Sequence, residues 1–174
     1  MAETKDEIKK RLYKSIIIQS ILKDIDDSYK NDILGGCIIL IFCAVSTMAF
    51  LSTPKDHEEV TGRDFKGWVE KYLSSGEDQS YNYDPIDMWA ARCGILHRYS
   101  PTSKYTDKKR AKKFTYNMSQ NHVIKDSNTV SLSIPRFKDD LKKAVAAFFE
   151  DAAKNPGLRK NIDHKIVHLF HIKR

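Results

Sequence analysis

The chain is poor in cysteine, opens without a secretory leader and carries none of the common nucleotide-cradling loops; each lack removes a class of protein. Its three cysteines, Cys37, Cys43 and Cys93, are odd in number, and two lie in an apolar run where a free thiol packs as a small hydrophobe, so a reducing compartment is expected. Met1 to Lys10 carries charges of both signs and lacks a short apolar core followed by a small-residue cleavage site, which points to the cytoplasm. A Gly-rich phosphate loop, a paired-carboxylate motif on a helix face and a nucleophile elbow are all missing, so dinucleotide, ATP and serine-hydrolase chemistry find no support and no cofactor is expected. Internal repeats and low-complexity linkers are missing too. The 174 residues suit one domain, 1–174, able to bury roughly two thirds of the surface its unfolded form exposes. Acidic residues are the minority, 23 against 30 Lys and Arg, and the resulting charge of +7 favours polyanions as partners.

Charge is missing altogether from one long stretch. Ile33 to Leu51 reads ILGGCIILIFCAVSTMAFL, nearly long enough to cross a bilayer. Gly35, Gly36, Ser46 and Thr47 interrupt it, Asp32 stands at its edge, and no Trp, Tyr or Lys/Arg cluster anchors either end at an interface. A helix apolar on all sides that does not span a membrane belongs at the centre of a core or in a dimer contact, and that is the expectation here.

Around this run the three-four spacing of apolar residues predicts further helices. A long first helix covers Thr4 to Tyr29, with Ile8, Leu12, Ile16, Ile18, Ile21, Leu22 and Ile25 along its stripe. Asn31 or Asp32 is expected to cap the apolar helix that follows. Thr61, with Asp64 three residues on, forms a capping box for a helix bearing Phe65, Trp68, Val69 and Tyr72, with Gly76 as its stop. Asp84-Pro85 opens another that runs through Met88, Trp89 and Ala91 to His97. After Pro101 the helical period is lost and a basic arm begins. Phe114, Tyr116 and Met118 alternate with polar residues, as do Val130, Leu132 and Ile134, and Asp126-Ser127-Asn128 between them predicts a small antiparallel element. Pro135 opens a helix with the stripe Phe137, Leu141, Ala144, Val145, Phe148, Phe149 and Ala152, closed by Asn155-Pro156-Gly157, and a last helix spans Leu158 to Ile172. The fold class is mainly α: a helical bundle (4–99), a basic arm with a β-hairpin insertion (100–134) and C-terminal helices (135–172).

Chemistry concentrates in Tyr83 to Ser103, where Arg92 is followed after four residues by His97 and, one residue later, by Tyr99. Arginine offers a permanent planar cation matched to a phosphate, and histidine both takes and gives a proton near neutral pH. A five-residue step turns about 140° around a helix, so the two side chains do not share a face. Either the helix is distorted near Gly94, or the site is assembled from two copies of the chain. The second is preferred, with the uncharged helix as the dimer surface. Arg98, Lys104, Lys108, Lys109, Arg110, Lys112 and Lys113 follow directly and are suited to an RNA backbone, without reading its bases.

The pattern Arg92-x4-His97-x-Tyr99 resembles the motif of the HEPN superfamily of helical prokaryotic proteins, and the helix order through Thr61-x3-Phe65-x2-Trp68-Val69-x2-Tyr72 is similar. The resemblance spans about Thr4 to Tyr99 and is specific around Trp89 to Ser103. It implies a helical bundle of the HEPN type and homodimerisation that brings two Arg–His motifs into one cleft. It further implies metal-independent endoribonuclease activity in toxin–antitoxin or phage-defence settings. Where a nucleotidyltransferase-like antitoxin is the partner, it implies modification of the tyrosine matching Tyr99. Cys93 stands where active members often carry a polar residue, which keeps a non-catalytic dimer binding RNA or protein as the alternative. Simpler roles exist for each residue: Arg92 as a helix-end cation, His97 as a cap, and Tyr99 as a packed ring with its hydroxyl in water in place of a base-stacking or modification site. His164, His168 and His171 share one face, yet they lack acidic or cysteine companions, so no metal is expected; Cys93 and His97 likewise lack further ligands.

Overall fold

The computed structural model describes residues 10, 13–74 and 79–169. The predicted reach of the first helix back to Thr4, Gly76 as a stop, and His171 lie outside those residues; the last helix, expected to run from Leu158 to Ile172, covers Pro156–Lys165 and gives way to a 3₁₀ turn, Ile166–His168, with Leu169 already extended. Within them the protein is mainly helical, with seven helices and one three-stranded sheet.

Helix α1 covers residues 13–30 and begins as a π-helix, Tyr13–Leu22, before tightening to α over Lys23–Lys30. The wider π turns rotate the apolar stripe away from the α-helical expectation: Ile16, Ile17 and Ile25 are buried, whereas Ile18 is exposed. Asn31 closes this helix instead of opening the next, its amide donating to Asp27 O at 2.8 Å, and Asp32 turns the chain at φ 59°. Helix α2, Leu34–Ser52, therefore starts from Ile33 with no side-chain cap, which corrects the sequence expectation.

Helix α2 is long and apolar enough to cross a membrane, but half of its apolar window is buried in the protein. It touches α1, α3 (residues 62–73), α4 (Pro85–Arg98), α6 (Ile134–Lys154) and α7 (Pro156–Lys165), which makes it the central helix. Cys37, Ile41, Phe42, Val45 and Met48 are completely buried. Its C-terminal carbonyls are held by Lys165, whose Nζ donates to Phe50 O and Thr53 O at 3.0 and 3.1 Å and lies over the Phe50 ring.

Helix α3 starts with the predicted capping box between Thr61 and Asp64, and α4 with Asp84 accepting from Ile86 and Asp87 N–H ahead of Pro85. A single turn, α5, covers Lys104–Asp107. The sheet contains β1 (Lys113–Asn117), β2 (Val123–Asp126) and β3 (Thr129–Ser133) in the order β1-β3-β2. Here the structure corrects the sequence: the two alternating stretches pair in parallel, Phe114 beside Val130, because β2 intervenes and takes the antiparallel place on the far side of β3. Strand β2 escaped notice because all four of its residues are exposed, so no buried face imprints an alternation. Ile134 and Met118 lie outside the strands, and α6 begins at Ile134 on a Ser133 cap. The stripe of α6 packs as predicted on α2 and α3, with Phe137 against Phe42 and Phe148 against Trp68 and Tyr72.

A buried polar chain joins the sheet to the bundle. Ser133 N–H donates to His122 Nδ1 at 3.0 Å, so the ring proton sits on Nε2, 2.7 Å from Tyr83 Oη, and that hydroxyl donates to Asp140 at 2.9 Å. Tyr83 is fully buried at φ 43°, a left-handed conformation a bulky residue keeps only when its surroundings fix it. Burial pushes the His122 imidazole down from 6.5 to about 4, against the pull of Asp140 and with a push from Arg136. The unfolded chain thus binds the extra proton first, and stability falls with pH between those values. The gap corresponds to about 3 kcal/mol lost on going from neutral pH to pH 4. Urea midpoints should fall over this range, and His122→Gln should flatten the fall; an equally steep fall in that variant would assign it to other groups.

Candidate functional site: the Arg92–His97 end of helix α4

Helices α2 and α4 pack antiparallel, so the C-terminal turn of α4 meets the N-terminal turn of α2. The meeting point is Tyr99, whose hydroxyl lies so close to Gly35 that a Cβ there would come within 2.0 Å of it. Tyr99 ends α4 in the left-handed region at φ 49°, its N–H returning to Ile95 O at 3.1 Å and Ser100 N–H to Gly94 O at 3.2 Å. The residue as a whole is 68% exposed. Gly94 is required by the returning chain: an added Cβ would meet the Ser100 and Thr102 carbonyl oxygens at 2.6 and 2.7 Å. Gly94→Ala should therefore destabilise the protein by about 1–3 kcal/mol, read as a lower urea midpoint; an unchanged midpoint would show that the turn yields freely.

Arg92 and His97 meet within one chain, Nη1 to Nε2 at 3.2 Å. This overturns the expectation that a 140° separation keeps them apart, roughly as five residues dictate. Distortion of the helix is not needed, since α4 runs unbroken to Arg98. The long guanidinium arm wraps the turn, and His97, like every helical side chain, leans back towards the N-terminus. Guanidinium only donates, so Nε2 accepts, and in this contact His97 is neutral with its proton on Nδ1. The other side of Arg92 lies over Trp89, 5.1 Å from its ring, and Trp89 rests on Gly62 and beside Phe65. Arg92 Nε is buried and makes no hydrogen bond in the protein, an unmet donor beside an exposed imidazole. Cys43 of α2 is near enough for Arg92 to lower its pKa, although burial is the larger influence and raises it.

The basic arm departs from this point. Arg98, Lys104, Lys108, Lys109, Arg110 and Lys113 are exposed, while Lys112 is drawn inwards with its Nζ 5.8 Å from the Tyr81 ring. Thr106 Oγ1 accepts from Ser103 N–H, and Lys109 adopts φ 51°, which bends the arm back to the sheet. Sequence reasoning missed the anchor of the arm. Asp87, buried on α4, accepts from Lys112 N–H at 2.7 Å and from Tyr81 Oη at 3.1 Å, and burial raises its pKa. An acidic residue three positions after an N-cap looks like ordinary helix chemistry, and its partner lies 25 residues on.

The cysteines are free: Cys37 buried, Cys43 exposed, Cys93 between. His164 and His168 meet edge to face with ring centroids 5.9 Å apart, and among the described residues no three His, Cys, Asp or Glu gather as a metal site. Comparison with protein-family models, with curated proteins and with solved structures finds no match.

Proposed function

We propose that this protein is a HEPN-type, metal-independent endoribonuclease acting in the cytoplasm as a homodimer, in a toxin–antitoxin or phage-defence role. The observation carrying the reading is the Arg92–His97 contact with its unmet Nε donor: a cation prepared for a phosphate next to a neutral imidazole prepared for a proton. Arg92 is displaced from Nε2 onto the scissile phosphate when RNA enters. His97 Nε2 takes the proton of the ribose 2′-hydroxyl, the 2′-oxygen bonds to phosphorus, and the bond to the 5′-oxygen breaks. The departing 5′-oxygen takes a proton from water, leaving a 2′,3′-cyclic phosphate and a 5′-hydroxyl, and His97 returns its proton to the hydroxide so formed, while Arg92 balances the charge on the phosphorane. The exposed cations from Arg98 to Lys113 hold the backbone, and Tyr99 offers a ring to a base.

Homodimerisation is supported by an apolar strip that α2 and α4 leave incompletely covered, with Ile39, Leu40, Cys43 and Thr47 on one helix and Ile86, Trp89, Cys93 and Leu96 on the other. Each chain already brings its own Arg–His pair, so the twofold arrangement would place two complete pairs together. The test is incubation of purified protein with total RNA in EDTA, followed by end analysis. Cleavage by the wild type and at least about a hundredfold less by His97→Ala is expected. Intact RNA with a folded dimer would replace this reading with a non-catalytic module that binds RNA or protein.

A further inference from the structure

A second cleft lies away from the Arg–His pair, between α3, the end of α2 and the start of α7. Its volume is about 490 Å³, within the range of small-molecule sites. One wall carries a row of three residues of α3, Arg63, Gly67 and Lys71, spaced four apart. On a regular α-helix each four-residue step overshoots a full turn by about 40°, so such a row drifts around the axis. Here most of the second step falls in the π turns of Val69–Leu73, which hold more residues and so rotate less per residue, taking back part of the drift. Lys71 is thereby brought towards the line of Arg63, roughly 12 Å away along the helix at 1.5 Å per residue. Between the two cations stands a glycine, where an added Cβ would meet nothing within 4 Å. Glycine is the poorest helix former after proline and no neighbour requires it here, so its effect is to leave an open channel from one cation to the other.

Donors along this channel are unmet. Arg63 makes no ion pair among the described residues, and Lys71 is shared with Asp151. Trp68, on the same wall and 2% exposed, has an indole N–H with no hydrogen bond in the protein, and a buried donor costs stability until an acceptor arrives. The Asn161 amide has only a long 3.4 Å bond to Ser52 O. The one carboxylate on the wall, Asp64, is engaged by the Thr61 N–H and hydroxyl of the capping box.

We propose that this cleft binds a small α,ω-dicarboxylate laid along α3. One carboxylate takes Arg63 and the other Lys71, with one of their oxygens turned to Trp68 Nε1–H, and the carbon chain lies over Gly67 beside Pro54 and Leu158. Two cations set apart by a bare stretch of helix suit two separated anionic groups better than one, and the apolar residues beside that stretch suit a carbon chain between them. The site goes beyond the ribonuclease reading and stands whether or not RNA is cut.

The chain contains two tryptophans, Trp68 in this cleft and Trp89 beneath Arg92, so its two indole N–H resonances separate the two sites. The ¹⁵N-labelled full chain is titrated with glutarate, pimelate and azelate, each beside the monocarboxylate of the same chain length, the resonances being assigned by loss of one in Trp89→Phe. The tightest of the three diacids should move the Trp68 resonance to saturation and bind at least about tenfold more tightly than its monocarboxylate. In Arg63→Ala that advantage should vanish. Gly67→Leu, whose Cβ meets no neighbour, fills the channel and should abolish binding while leaving the urea midpoint unchanged or raised. Equal affinity for diacid and monocarboxylate overturns the proposal, as does an advantage that survives Arg63→Ala, binding that survives Gly67→Leu, or the lack of any saturable shift. Movement of the Trp89 resonance alone places the diacid at Arg92 and overturns it as well.

Discussion

Replacing Asp140 with alanine is expected to cost about 3 kcal/mol of folding stability, the low end of what breaking a buried ion pair costs. The carboxylate accepts from Tyr83 Oη and from Arg136 Nε, each at 2.9 Å, so its loss takes this acceptor from both. Tyr83 has nowhere else to turn, being fully buried and fixed at positive φ between the Phe137 and His122 rings. Arg136 is partly exposed and recovers some hydration, which is why the low end applies. Asp140→Asn keeps an acceptor for the hydroxyl and loses only the charge, so about 1–2 kcal/mol is expected. Urea unfolding followed by circular dichroism measures both, with the dependence on denaturant unchanged. A loss below about 1 kcal/mol in the alanine variant would mean that the chain from Ser133 to Asp140 is incidental to the fold.

His97→Ala should lower the rate of RNA cleavage by about 10²–10⁴-fold, the usual contribution of a positioned general base, with little change in stability because the imidazole is exposed. Arg92→Lys separates charge from shape. Lysine keeps the cation but loses the planar fork that reaches the phosphate and the flat face that lies over Trp89, so a loss of about 10²-fold is expected despite the preserved charge. Single-turnover assays at saturating RNA read both effects on the chemical step. Equal rates for wild type and His97→Ala would sink the assignment of the base, and undiminished Arg92→Lys would show that only charge matters at that position.

Much of the scaffold was legible in the sequence because it is governed by neighbours along the chain. The Thr61–Asp64 box, the Asp84 cap and the stripe of α6 all join residues a few positions apart, and each is found where spacing placed it. The failures have local physical causes as well. The π-turns of α1 have no spacing signature of their own, Asn31 can end one helix as readily as begin the next, and a fully exposed strand leaves no alternation to read. The Arg–His motif was visible, but its geometry was not: angular position on a helix says where a Cβ points, and a long flexible arm overrides it. The Tyr83–His122–Asp140 chain was out of reach, since its members stand 39 and 57 residues apart and each alone is an ordinary polar residue.

The parallel pairing of β1 with β3 leads to an expected order of assembly. Strands β2 and β3 are joined by a two-residue turn, Ser127-Asn128, in which Asp126 Oδ1 accepts from Asn128 N–H at 2.7 Å, and such a hairpin closes in about 1–10 μs. Strand β1 has no such shortcut: its pairing with β3 spans the whole of β2, a longer loop to close, so it is expected to form after the hairpin, and the lysine-rich segment with it. Substitutions in the hairpin turn should therefore slow folding, whereas those in β1 should chiefly hasten unfolding, which puts the candidate RNA-holding segment among the last parts to settle and the first to come free.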